Sequence, residues 1–131
     1  MTARVEIHEH DLLRFANKLL VYLATPYSRY PRGLDAAREH ACLIAAEFVA
    51  ARVPVFCPIV HSHEIAMLGG LDPRDHDLWF RQNEAMLEHC DALAVPLMTG
   101  WSTSKGVCME IDFFKSRRRP VLFFPLEIHD D

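Results

Sequence analysis

The chain has 131 residues, with 14 Lys+Arg against 18 Asp+Glu, a formal net charge of −4, half of its residues hydrophobic and 24% charged. That length predicts one domain without a second large one, and the balance is too apolar for a disordered chain. A nucleic-acid binder would carry a basic excess, so the mild acidity argues against such a partner.

The opening, Met1 to Asp11, mixes charges with histidines and lacks the apolar core of a signal peptide. No stretch reaches the roughly 18 apolar residues of a membrane-spanning helix, so no membrane association is expected. Four cysteines, at positions 42, 57, 90 and 108, each lie in an apolar run without CxxC spacing. They predict reduced, buried thiols in a cytoplasmic protein.

His10 to Lys18 is weakly amphipathic and reads either as a short helix or as part of an extension over residues 1–18. Leu19 to Ala24 is a compact apolar run stopped by Thr25-Pro26, the pattern of a strand buried on both faces. Tyr27 to Gly33 is a polar loop. Leu34 to Arg52 is helical, with Ala37, Ala41, Ile44, Ala45 and Phe48 on one face. Val53 to Cys57 is a second strand, ended by Pro58. Between His61 and Asp75 the pattern is unclear, since Gly69-Gly70 and Asp72-Pro73 interrupt any helix. Asp77 to Cys90 is helical through Phe80, Met86 and Leu87. Asp91 to Leu97 is a third strand, Ser102 to Arg118 a helix opened by Ser/Thr caps, and Arg119 to Phe124 a last strand.

Strands alternating with helices of ten or more residues imply right-handed crossovers and a parallel sheet covered on both faces. The expected fold is α/β: a flavodoxin-like three-layer sandwich with a small parallel sheet of four or five strands, forming a single domain over 1–131. Ligands of such folds sit at the carboxyl ends of the strands. Three segments fall there: Thr25 to Tyr30, Pro58 to His63, and Met98 to Gly106, which leads into the helix carrying Glu110. The Ser/Thr-rich third segment suits an anion at a helix N-terminus. No Walker pattern, GxGxxG or GxSxG is present, which leaves triphosphate hydrolysis, dinucleotide binding and a serine-hydrolase triad without support. Glu6 to His10 and His61 to Glu64 bunch histidines without a zinc spacing, so no metal and no cofactor are expected. Within this frame Glu110 stands out, because a carboxylate among Val107, Cys108, Met109 and Ile111 must face a cleft or be costly to bury. The competing reading is a solvated helix glutamate.

Val21-Tyr22-Leu23-Ala24-Thr25-Pro26-Tyr27 resembles the strand-and-turn opening of the nucleoside 2-deoxyribosyltransferase-like superfamily. Cys90 to Val95, followed by Gly100-Trp101-Ser102-Thr103-Ser104-Lys105-Gly106-Val107-Cys108-Met109-Glu110, resembles its second signature. The Gly-Trp…Ser-x-Gly-x-x-x-Glu form is similar to the branch known as domain of unknown function 1937. The likeness runs in order from Leu19 to Phe124.

The resemblance implies that Glu110 is the nucleophile at the anomeric carbon of a nucleoside or nucleoside 5′-monophosphate. Displacement of the base would leave a glycosyl–enzyme ester for water or a second base to resolve. Ser104 stands where related transferases carry a sugar-gripping aspartate and related nucleotide hydrolases carry a serine beside the 5′-phosphate. It therefore leans towards a phosphorylated substrate, and the competing reading is a plain helix cap. The superfamily's acid on the preceding helix falls on Asn83, which has no proton to give; Asp77, two turns earlier, substitutes only if the helix is shifted. Thr25, Tyr27 and Ser28 offer donors and a stacking ring, with Ser102 and Gly106 completing the expected substrate-binding set. Tyr27 reads equally as a packing aromatic. His61 and His63 follow the second strand, either near ligand or solvated. Trp101 is expected to shape its loop by packing, and Arg117-Arg118-Arg119 to be solvated beside a helix dipole.

Asn83 in place of an acid keeps a second reading open, a catalytically silent nucleotide-binding module on the same fold. A structural partner in a larger assembly is a third. By resemblance a homodimer or higher homo-oligomer is expected, with a neighbour completing the pocket.

Overall fold

A computed structural model describes residues 3–130; Met1, Thr2 and Asp131, the outermost residues of the expected domain, lie outside the described residues. The elements run β1 (Ala3–Glu6), α1 (Glu9–Leu13), β2 (Val21–Leu23), α2 (Leu34–Ala50), β3 (Val55–Phe56), α3 (Pro58–Gly69), α4 (His76–His89), β4 (Ala92–Pro96), α5 (Lys105–Ser116), β5 (Val121–Phe124) and β6 (Glu127–Asp130). A short 3₁₀ turn, Trp101–Thr103, precedes α5. Four strands form one parallel sheet in the order β3-β2-β4-β5. The expected three-layer α/β sandwich is the observed architecture.

Side-chain alternation along the central strands builds both faces. Val21 and Leu23 of β2 and Ala94 of β4 join Phe15, Ile44 and Phe48 in one core layer. Tyr22, Leu93 and Val95 point the other way, against Leu87 of α4 and Val107, Ile111 and Phe114 of α5. Asp91 pins the starts of the two central strands together, accepting from Leu20 N at 2.9 Å and Leu19 N at 3.2 Å.

Four features differ from the sequence expectation. Pro58 does end a strand, but it also opens α3 at its first turn, where the missing N–H is harmless. The unclear segment is therefore helical up to Gly69, and Gly70, at φ +70°, is its left-handed cap. The first residues are not a mere extension. β1 pairs antiparallel with β6, Ala3 opposite Asp130, and Phe15 is fully buried against Phe48 and Phe124. Of the cysteines expected to be buried, Cys57 and Cys90 are, whereas Cys42 and Cys108 are half-buried on helix flanks; all four are free. The basic run is only partly solvated. Arg119 Nη1 donates to the carbonyls of Leu87, Glu88 and Cys90 at 3.0, 2.8 and 3.1 Å, closing the C-terminus of α4, while Arg117 lies over the Phe113 ring. Among the described residues no helix is long and apolar enough to cross a membrane.

Candidate active site

A cleft opens beside the carboxyl end of β2, between the loop after it, the start of α3, and helices α4 and α5. Strand parity aims Tyr22 away from α2 and into this side of the sheet, where its ring is fully buried between Phe56 and Phe114. Helix α5 supplies Glu110. Ser104 caps that helix, its Oγ accepting from Val107 N at 3.3 Å, and Glu110 follows six residues later on the inward face.

The Tyr22 hydroxyl donates to Glu110 Oε2 at 2.8 Å. Burial pushes the Glu110 carboxyl up to about 8, and the Tyr22 hydrogen bond works against that rise. Burial first, and then the Glu110 charge, lift the Tyr22 hydroxyl well above its ordinary range, so it remains a donor. A partly buried carboxyl that is half neutral near pH 8 is placed to change its charge when a cationic centre forms beside it.

Seven of the expected site residues share this cleft with Glu110's carboxyl as its floor: Glu110, Asn83, Thr25, Tyr27, Ser28, Ser104 and Gly106. Asn83 is buried and faces in from α4. Thr25 is buried next to Cys57, with Oγ1 and Sγ 4.0 Å apart. Ser28 Oγ lies 3.4 Å from His76 Nε2. Two residues stand apart. Asp77 is exposed on the outer side of α4, in a shallow groove with Arg81 and Glu84, and the register of α4 does not turn it towards the cleft. Ser102 is exposed in the 3₁₀ turn and contributes its carbonyl to Cys108 Sγ at 3.5 Å. Trp101 packs on Phe123, ring centroids 5.2 Å apart, as expected of a loop-shaping residue.

The remaining lining is legible in the sequence only in part. Tyr22 stands in the sequence within an apolar strand and the strand-and-turn string of the resemblance without a role of its own, although a hydroxyl within a buried run needs a partner and so marks a site. Pro58, Ile59 and Ser62 belong to the expected segment after the second strand, which is the start of α3, whereas His76, Trp79 and Phe80, from the start of α4, were not expected there. His63 is buried and bonded to Tyr27, whereas His61 is exposed. Among the described residues no three His, Cys, Asp or Glu side chains are grouped to hold a metal ion.

A family model described as a domain of unknown function, DUF1937, matches residues 19–125, the span that contains the whole cleft. No curated protein matches the chain.

Proposed function

The chain belongs to the DUF1937 family, and from that premise we propose that it cleaves or transfers the N-glycosidic bond of a nucleoside or nucleoside 5′-monophosphate, as do the nucleoside 2-deoxyribosyltransferase-like enzymes it resembles. The observation that carries this reading is the Tyr22–Glu110 pair on the floor of the cleft. In its ionised form Glu110 attacks the anomeric carbon while Tyr22 holds one of its oxygens and fixes the direction of the other. The oxocarbenium-like transition state is cationic, so a carboxylate in an apolar wall stabilises it more than it stabilises the neutral ground state. The product is a glycosyl ester on Glu110, which water hydrolyses or a second base intercepts.

The rim supports a phosphorylated substrate. Helix α5 begins there, and the N–H groups of its first two residues, Lys105 and Gly106, have no carbonyl within the helix to bond. Ser104 flanks them, and Arg74 is fastened to the loop after β2, its Nε donating to Ser28 O at 3.0 Å. These groups suit a 5′-phosphate, which the net charge of −4 would not draw in by itself.

The test is base release from a panel of ribo- and deoxyribonucleosides and their 5′-monophosphates, followed by chromatography. Release that falls about a thousandfold in Glu110→Ala is expected; equal release by wild type and variant overturns the nucleophile. Added acceptor base separates transfer from hydrolysis. A silent nucleotide-binding module is favoured by one observation, Asn83 where an acid is expected. Binding without release from any member of the panel would establish that reading instead.

A further inference from the structure

Tyr27, His63 and Asp35 form a continuous hydrogen-bonded chain from the cleft to bulk water. The Tyr27 hydroxyl lies 2.6 Å from His63 Nδ1, and His63 Nε2 lies 3.0 Å from Asp35 Oδ1. His63 is 2% exposed, whereas the Asp35 side chain is 91% exposed. An imidazole shielded from solvent, engaged through both nitrogens, with a phenol at the cleft on one side and a solvated carboxylate on the other, has the form of a proton path.

N-glycosidic cleavage needs such a path, because the base departs as a nitrogen anion unless it is protonated, and Asn83 supplies no proton. We propose that Tyr27 donates the proton to the leaving base and is recharged by His63, which Asp35 holds from the solvent side and which the attacking water later reprotonates, an inference that rests on the N-glycosidic reading above.

With His63 as imidazolium, Nε2–H donates to Asp35 and Nδ1–H to the Tyr27 oxygen, which leaves the Tyr27 proton free for the cleft. As the Glu110 carboxylate bonds to the anomeric carbon, the electron pair of the breaking C–N bond goes to the base nitrogen. The Tyr27 proton passes to that nitrogen, and the His63 Nδ1 proton passes to Tyr27. An anion and a cation have become a neutral ester and a neutral imidazole. Water then attacks the anomeric carbon and releases the Glu110 carboxylate, and its proton returns through Tyr27 to His63. Water is the single co-reactant.

The surroundings agree with these roles. Burial and the Asp35 charge keep the Tyr27 phenol protonated, against the opposing Arg74 cation, so Tyr27 acts as a donor and not as a tyrosinate. Arg38 of α2 and Glu64 of α3 pair with each other at 3.5 Å, which leaves Asp35 as the carboxylate in contact with His63. Tyr30, His40 and Asp130 repeat the same chemical order at 2.8 and 3.2 Å, but Asp130 is also held by Arg32, and that chain borders a different cleft without Glu110. It ties β6 to α2.

Two leaving groups test the relay. Natural nucleosides and their 5′-monophosphates release a base that needs a proton; the matching p-nitrophenyl furanosides, with and without 5′-phosphate, release a phenolate that does not. Tyr27→Phe is expected to lower the ratio of base release to p-nitrophenolate release at least thirtyfold. Asp35→Asn, at an exposed position, is expected to lower that ratio several-fold and to move the high-pH decline of base release to lower pH. Glu110→Ala abolishes both reactions. If Tyr27→Phe leaves the ratio unchanged, or Asp35→Asn leaves the pH profile of base release where it was, the relay is overturned and the N-glycosidic reading stands. If wild-type protein releases neither base nor p-nitrophenolate, the reading itself falls and the relay with it.

Discussion

At the scale of single residues, the raised Glu110 carboxyl links catalysis to stability. Its native value, about 8, lies above the ordinary 4.5, so the native state holds a proton that the unfolded chain has already lost. The stability contributed by the neutral carboxyl is complete below about pH 4.5 and disappears as pH rises through about 8. Each pH unit in that window is worth up to about 1.4 kcal/mol, and partial exposure of the side chain to the cleft reduces the total to about 2–4 kcal/mol. Glu110→Gln removes this dependence. Its urea midpoint is expected to match wild type near pH 5 and to exceed it near pH 8; equal midpoints at both would show that the carboxyl titrates normally. Tyr22→Phe takes away the one hydrogen bond that lowers Glu110, so the rising limb of the pH–rate profile is expected at higher pH, with a folding cost of about 1 kcal/mol. Glu110 was legible in the sequence because a charge inside an apolar helical stretch stands out. The Tyr27–His63–Asp35 chain was not, since its members come from a loop and two helices and their spacing follows no local period.

Whole elements were legible where burial dictates the pattern. Apolar runs at β2 and β4 follow from a sheet covered on both faces, and the one-sided apolar stripe of α2 follows from packing on that sheet. Helix α3 was hidden because Ile65, Met67 and Leu68 point outward, so no single face carries its apolar residues. β1 and β6 were hidden because a two-stranded ribbon of four residues each buries little; of β1 only Ala3 is buried. At α5 the cap and the expected phosphate contact fall on one residue, and a substitution separates them. Aspartate caps a helix about as well as serine, whereas alanine costs about 1 kcal/mol. Ser104→Asp is therefore expected to keep the thermal midpoint and to raise KM for 5′-monophosphates tenfold or more, with the unphosphorylated nucleosides affected threefold at most. An equal effect on both substrate types would reduce Ser104 to a cap.

For the molecule as a whole, the segment before β2 belongs to the core. Phe15 sits fully buried 5.1 Å from Phe48 and 6.0 Å from Phe124, ring centre to ring centre. Phe15→Ala is expected to cost about 3–4 kcal/mol in urea unfolding, as for other buried aromatics; a cost below about 1 kcal/mol would mark the segment as dispensable. Leu68 and Leu71 at the end of α3 and Leu78 in α4 are exposed apolar side chains. We expect water exclusion to come from a second copy of the chain, seen by light scattering as a mass of twice 15.0 kDa; a monomer at every concentration would exclude it. The β1–β6 ribbon bears on how the protein is made. Glu6 pairs with Glu127, so β1 leaves the ribosome roughly 120 residues before its partner, and the loop that must close is nearly the length of the chain. The sheet and α2 are complete in sequence before β6 exists. Until β6 has been made, β1 has no partner and presents unpaired backbone to its neighbours, an interval that the distance between the two strands in sequence makes long.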